Sequence, residues 1–387
     1  MKSSSLRSRW AAGVGMALGT ACAVILAAVS LAPGHDAARA GIGRCDDQPV
    51  AVAAPAPATQ PTQELNFLAM GDWGEGKPAQ KTVAETMARY VTSRHARFAG
   101  LLTAGDNFYV PVSGTHDPVW QTLFEKMYDP IRLDFPFYVS LGNHDYDQKK
   151  YRWELAYSLE FPQSRWKLPS RWYRLDFPRE NSLLTVMMLD SDHDFMTAND
   201  WRQEREFLEQ QLARPRAPWT MCVAHHPLFS NGLVGQNGLL QKDWGELFKK
   251  YDVDLYLCGH DHNLQHLEIA GWKTSFVIAG GGGAHSAPIV RDSLGPFSRA
   301  VYGFAHFQFT PQQAIIRYVG ADGQLLHEFV RSKAGQVRVT VTTPSDASIA
   351  KPLQVLQGIY DKIHPSTRPA TRPGSETGDE SYMPPAR

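Results

Sequence analysis

Leu65-Asn66-Phe67-Leu68-Ala69-Met70-Gly71-Asp72-Trp73-Gly74 is a short apolar run that stops on a glycine and an aspartate. A nearly continuous apolar run of this length, bounded by turn residues, reads as a buried strand. The same form returns along the chain. Phe98–Ala104 leads into Gly105-Asp106-Asn107-Phe108-Tyr109, and Phe135–Leu141 into Gly142-Asn143-His144-Asp145. Trp219–Ala224 leads into His225-His226-Pro227, and Val253–Cys258 into Gly259-His260-Asp261-His262. Helical patterns lie between them, over Pro78–Arg97, over Trp120–Tyr128 and after Asp145. Strands alternating with helices predict βαβ units and largely parallel sheets. Thr274–Ala279, Phe304–Phe309, Ala314–Val319 and Leu325–Val330 follow one another without helices, which predicts an antiparallel or mixed half. The expected class is α/β (α+β), with two sheets and helices outside them.

Outside this core the composition changes. Lys2, Arg7 and Arg9 precede an apolar run from Trp10 to about Pro33, and Ala38-Arg39-Ala40 follows as a cleavage pattern. Residues 1–40 read as a secretory signal, and the run also reaches the ~20 residues that span a bilayer, so an uncleaved N-terminal anchor is the second reading. Both predict an exported protein, periplasmic or secreted in the first case and membrane-anchored in the second. Residues 41–64 include the Ala/Pro-rich PVAVAAPAPATQPTQ, a semi-rigid spacer. Residues 65–332 form the expected globular domain, and 333–387 a polar, largely disordered tail. Of the four cysteines, Cys22 would leave with the signal, and the odd remainder argues against a complete disulfide framework. Cys222 and Cys258 read as buried thiols in preference to a disulfide.

The chain has 387 residues, 43% of them hydrophobic, with 39 basic and 39 acidic side chains. No basic excess points to nucleic acid or to an anionic membrane. The expected partner is a small-molecule or local peptide substrate, with membrane contact only through the N-terminal segment.

In open α/β sheets ligands bind outside the carboxyl ends of the strands, so residues at the five strand ends are expected to converge. Asp72, Asp106, Tyr109, Asn143, His225, His260 and His262 are all of types that bind metal. A carboxylate can bridge two cations, and Asp106 is the natural bridge. Carboxylate, phenolate and imidazole suit hard trivalent iron, whereas an amide oxygen with two imidazoles suits a divalent ion. Two ions ~3.5–4 Å apart can clamp a phosphoryl group and activate a hydroxide. A lone Gly-Asp is ordinarily an Asp turn or a cap, and a lone His-x-His two strand residues on one face. The five pieces together, each at a strand end, carry the signal.

GDWG, GDNFY, GNHD, AHHP and GHDH in this order resemble the purple acid phosphatases, of the small tartrate-resistant type, within the calcineurin-like metallophosphoesterases. The resemblance spans about Leu65 to Val330 and extends to LCGHDHNLQ and GFAHF. It implies a four-layer α-β-β-α sandwich of two mixed sheets flanked by helices. It places Asp72, Tyr109 and His262 on Fe(III), and Asn143, His225 and His260 on a divalent ion (Fe, Zn or Mn), with Asp106 between them. The implied activity is hydrolysis of phosphate monoesters by a metal-bound hydroxide, with a small-molecule phosphoester or phosphoprotein as the substrate. His225 rather than His226 is the ligand by its distance from Pro227. His144 would face the substrate phosphate, with Asp145 orienting it.

One departure stands out. The family carries a second substrate-side histidine shortly after the proline, where this chain has Ser230-Asn231-Gly232-Leu233-Val234-Gly235. Valine donates no proton, so leaving-group protonation is expected to fall to His144, to His226 or to water. Gly280–Gly283 reads as a glycine-rich surface loop, with His285 as a further candidate acid. Two rivals remain: a phosphodiesterase or nucleotide pyrophosphatase on the same dimetal site, and a non-catalytic envelope protein that binds phosphorylated ligands.

Overall fold

The structure is a computed structural model and describes residues 63–345. The expectations for residues 1–40, and for most of the 41–64 spacer and the 333–387 tail, lie outside the described residues. Among the described residues no helix is long and apolar enough to cross a membrane.

The apolar runs form strands where expected: β1 (Leu65–Met70), β2 (Phe98–Thr103) and β3 (Phe137–Tyr138). β3 is cut to two residues, next to Pro136, which has no N–H to give a ladder. α1 (Pro78–Arg94) starts with proline at its first position and ends at His95, whose φ of 50° is left-handed. That residue stops the helix three positions before the expected Arg97. Trp120–Glu125 forms a π-helical turn, followed later by α2 (Asn143–Tyr146) and α3 (Lys150–Glu160).

Six strands are absent from the sequence-based expectation: β4 (Trp166–Lys167), β5 (Tyr173–Phe177), β6 (Leu184–Met188) and, later, β9 (Leu264–Glu268), β11 (Phe297–Arg299) and β15 (Val337–Thr342). α4 (Ala198–Ala213), capped by the Thr197 side chain on the Asp200 N–H, precedes β7 (Trp219–Val223). α5 (Gly238–Asp243) and α6 (Gly245–Lys250) lead into β8 (Leu255–Cys258). After β9 come β10 (Ser275–Ala279), β11 (Phe297–Arg299), β12 (Gly303–Phe309), β13 (Gln313–Gly320), β14 (Leu325–Ser332) and β15 (Val337–Thr342).

The strands form two mixed sheets, in the orders β15-β14-β13-β12-β1-β2-β3-β4 and β11-β9-β10-β8-β7-β6-β5. The run of helix-free strands is not one antiparallel half. β12, β13 and β14 are antiparallel in the first sheet, whereas β10 joins the second, parallel to β8 and antiparallel to β9. β15 pairs antiparallel with β14, so the first sheet continues one strand beyond residue 332.

Side-chain alternation explains the layering. Val186, Met221, Leu255 and Val277 of the second sheet belong to the core cluster that holds Leu101, Phe137, Phe307 and Ile316 of the first. Their neighbours Met187, Cys222, Tyr256 and Phe276 face the other way, onto Trp201, Leu208, Trp244 and Leu247 of α4 to α6. On the first sheet's outer face Tyr90 of α1 meets Phe304 edge-on at 5.4 Å. Each fully buried side chain of this kind is worth about 1.5–3 kcal/mol. The four-layer arrangement of helices, sheet, sheet and helices is therefore present. Cys222 and Cys258 are free and buried. Cys222 is opposite Tyr256 in the β7–β8 ladder, which leaves Cys258 two residues out of register for a disulfide.

Candidate dimetal site

The ends of β1, β2 and β3 bring one set of loops to the junction between the sheets, and the ends of β7 and β8 bring the other. Main-chain hydrogen bonds lock them together: Gly71 N–H donates to Ala279 O at 2.8 Å, Asp72 N–H to Gly105 O at 3.1 Å, and Gly259 N–H to His225 O at 3.0 Å. Asp72, Asp106 and His260 each have left-handed φ, of 59°, 52° and 66°. Non-glycine residues adopt this conformation at a cost, and such strain concentrates at functional sites. Glycines before the strand-end residues allow close approach of the loops. A Cβ on Gly142 would lie 2.4 Å from Asp106 N and Oδ1, and one on Gly259 would lie 2.4 Å from Asp72 Oδ2. These two positions admit only glycine because loop backbone and ligand carboxylate are already in contact.

All seven predicted ligands converge. Tyr109 Oη is 3.0 Å from Asp106 Oδ2, 3.1 Å from His262 Nε2 and 3.4 Å from Asp72 Oδ1. His225 Nε2 is 3.0 Å from Asn143 Oδ1, 3.1 Å from His260 Nδ1 and 3.4 Å from Asp106 Oδ2. One oxygen of Asp106 thus faces both groups, while its Oδ1 accepts the His144 N–H at 2.8 Å.

The hydrogen bonds behind the ligands show which ring nitrogen is offered. His225 Nδ1 is 2.8 Å from the Ala104 carbonyl and His262 Nδ1 is 2.6 Å from the His285 carbonyl. A carbonyl only accepts, so both rings donate there and turn the Nε2 lone pair inward. Carboxylate, amide and imidazole acceptors then face one another with too few hydrogens to share, an arrangement that fits cations. The local field agrees. Burial alone would lower the His225 pKa, but the adjacent Asp106 outweighs it and raises it to about 10. Burial would likewise raise Asp106, yet His225 and His144 hold it well below the usual carboxylate range. Burial, then Asp106 and Asp72, push the Tyr109 phenol up, so a phenolate there requires added positive charge.

The candidate acid–base residues divide. His144 Nδ1 is 2.9 Å from Asp147 Oδ2, and its ring lies 4.5 Å from that of Tyr109. The partner that orients it is Asp147, and the expectation for Asp145 is corrected. Asp145 Oδ1 accepts the N–H groups of Asn107 and Phe108, and Oδ2 accepts those of Gly142 and the Asn107 amide. It ties the GDN turn to the GNHD turn, with Asn107 as the hub: its Nδ2 is also 2.9 Å from Ser140 O, and its Oδ1 accepts from Trp73 Nε1 at 3.2 Å. His226 lies beside His225, with Nδ1 3.0 Å from Ser191 Oγ. His226, Val234, Gln236, Asn237 and His260 line a cavity of about 250 Å³. Gly280–Gly283 is buried rather than a surface loop: Gly282 N–H donates to Gly71 O at 3.0 Å and Ala284 N–H to Asp72 O at 2.9 Å. His285 follows it, its ring 4.3 Å from that of His262.

Ser191, Asp147 and Asn107 were missed. Ser191 had a signal, since β6 leads into Leu189-Asp190-Ser191-Asp192, the same apolar run into polar residues that marked the other strand ends.

Residues 65–264 match the family described as calcineurin-like phosphoesterase. The chain is 32% identical over 304 residues to mouse (Mus musculus) tartrate-resistant acid phosphatase type 5, covering 69% of this chain and 90% of that protein. It is 28% identical over 295 residues to Arabidopsis thaliana purple acid phosphatase 17, covering 70% and 85%. Among solved structures, purple acid phosphatase PPD1 from yellow lupin (Lupinus luteus) seeds shares the fold at a TM-score of 0.57 and 18% identity, over 75% of this chain and 58% of that one. GAP50, the anchor in the inner membrane complex of Plasmodium, shares it at a TM-score of 0.61 and 21% identity, over 76% and 94%. The chain belongs to the calcineurin-like phosphoesterases, hydrolases of phosphoric ester bonds, and within them to the purple acid phosphatases.

Proposed function

We propose that this protein hydrolyses phosphate monoesters at a dinuclear centre of Fe(III) and a divalent ion. Asp72, Tyr109 and His262 would hold the first ion, and Asn143, His225 and His260 the second. The observation that carries the reading is Asp106 Oδ2, which lies 3.0 Å from Tyr109 Oη and 3.4 Å from His225 Nε2 and so faces both ligand groups. When bound, the ions supply Lewis acidity toward the phosphoryl oxygens and toward an attacking water. The chain's own groups supply the rest. Asp106 fixes the separation of the two ligand groups, and its Oδ1 bond to the His144 N–H ties His144 to them. Asp147 aims the His144 ring, placed to hand a proton to the leaving oxygen. Burial would lower the His144 pKa, but Asp106 and Asp147 outweigh it, so the ring retains its proton above the usual histidine range. The substrate is a small phosphoester, and the N-terminal segment supports an exported protein.

A second reading, a phosphodiesterase, draws on Val234. This apolar side chain borders the 250 Å³ cavity, where a second ester group would fit. Turnover of p-nitrophenyl phosphate and of its bis-ester by the metal-replete protein separates the two. A monoester kcat/KM above that of the diester is expected, and the reverse order overturns the monoesterase.

A further inference from the structure

Ser191, just beyond β6, sits between two adjacent histidines that it treats differently. Its Oγ accepts the backbone N–H of His225 at 3.1 Å and of His226 at 2.8 Å, and lies 3.0 Å from His226 Nδ1. A serine hydroxyl has two acceptor lone pairs and one hydrogen. Both lone pairs are taken, so the contact with Nδ1 uses the hydrogen, and Ser191 donates to the ring. A neutral imidazole that accepts at Nδ1 carries its own hydrogen on Nε2. Among the described residues no hydrogen bond is made by His226 Nε2, and the half-buried ring lines the cavity beside Val234 and His260. His225 is the opposite case: it donates from Nδ1 to Ala104 O and turns an Nε2 lone pair toward Asn143 and His260. Two consecutive histidines thus present opposite polarity, one suited to a cation and the other to an anion.

We propose that His226 is a second substrate-side catalytic residue, donating its Nε2–H to a non-bridging oxygen of the substrate phosphate on the side where Val234 supplies no donor. Ser191 is its positioning residue. The proposal rests on the phosphoester hydrolase reading above and names the substrate class. A monoester dianion offers a charged oxygen toward the cavity, whereas a diester offers an alkylated one, a poor acceptor. His226 therefore favours monoesters, and it acts by hydrogen bonding alone. The leaving oxygen departs with the P–O electron pair and takes its proton from His144 or from water.

The test compares wild type with His226→Phe, His226→Gln, Ser191→Ala and Ser191→Thr. The readouts are metal content, kcat/KM for p-nitrophenyl phosphate and its bis-ester, and inhibition by inorganic phosphate. With metal content unchanged, His226→Phe is expected to lose about 10- to 100-fold in monoester kcat/KM, the worth of one hydrogen bond to a charged group. Phosphate inhibition should weaken by a similar factor and diester turnover change far less, so the monoester preference falls. His226→Gln, whose amide N–H can still donate, recovers much of the loss. Ser191→Ala falls between His226→Phe and wild type, and Ser191→Thr stays near wild type. A metal-replete His226→Phe with unchanged monoester kcat/KM and phosphate inhibition overturns the proposal. So does metal loss in both His226 variants, which would make His226 a support of the metal site. If wild type turned over no phosphoester while phosphate binding still weakened in His226→Phe, the donor would stand and the hydrolase reading would fall.

Discussion

The two halves of the site are built to different tolerances. Around Asp72 and His262 the structure is closed, with Tyr109 half-buried beside them. Asp72 and His262 are buried, Gly280–Gly283 packs behind them, and the His285 carbonyl and ring both engage His262. Around Asn143 and His260 it is open, while His225 is itself buried. Asn143 and His260 are only half-buried, and His260 borders the cavity with His226 and Val234. The closed half can concentrate charge because Asp72 and His262 are shielded from solvent, and the open half can admit an ester because its wall is not fully packed. A phosphoesterase needs both, and the difference can be broken by substitution.

The largest contrast is expected from two glycines. A Cβ on Gly259 would lie 2.4 Å from Asp72 Oδ2 and 2.9 Å from Ala104 O, with no flexible chain end to yield. Gly259→Ala should cost about 1–3 kcal/mol through overpacking, seen as a Tm lowered by several degrees, and should lose the ion on Asp72. Gly238 lines the cavity, and a Cβ there meets nothing within 4 Å. It is also the first residue of α5, where alanine is favoured over glycine by roughly 0.5–1 kcal/mol. Gly238→Ala should therefore match or slightly exceed wild type in Tm. Equal losses in the two variants would contradict the closed-and-open description.

A smaller effect separates the site from the rest of the fold. His225 in the site is pushed up to about 10, whereas His306 on β12 is pushed down to about 3, by burial and then by Arg317 and Arg94. His306 is held neutral, with Nε2 3.0 Å from Asn66 Oδ1 and Nδ1 2.9 Å from Tyr90 Oη. A folded pKa below the unfolded 6.5 means that stability is complete above about pH 6.5 and is lost as the pH falls toward 3. The slope is at most about 1.4 kcal/mol per pH unit for one such group. His306→Gln, which stays neutral, should flatten the fall in Tm between neutral and acid pH. An unchanged slope would remove His306 as a cause.

Much of this was legible because strand ends leave a plain signature. Asp72, Asp106, Asn143, His225 and His260 each follow an apolar run, and parallel strands bring such ends to one edge. Tyr109 and His262 followed from their places in the same motifs. The parts that were not legible depend on contacts between distant residues. Asp145 and Asp147 are equally plausible partners of His144 in sequence, and the backbone N–H groups that capture Asp145 come from a loop 37 and 38 residues away. Ser191 follows a strand, β6, that was not foreseen, and its role appears only where it meets His225 and His226. The glycine-rich stretch 280–283 looked like a surface loop because composition does not report burial; its main chain bonds to Gly71 and Asp72.

Under the proposed function, seven side chains hold two unlike ions, with Tyr109 on the iron side. Metal analysis with a visible spectrum, on wild type and on Tyr109→Phe, tests it most directly. Two ions per chain with at least one iron are expected, with a phenolate-to-iron absorption band in wild type and loss of that band in Tyr109→Phe while the second ion stays bound. A wild-type protein that is active yet colourless and free of iron, or a band that survives in Tyr109→Phe, would contradict it.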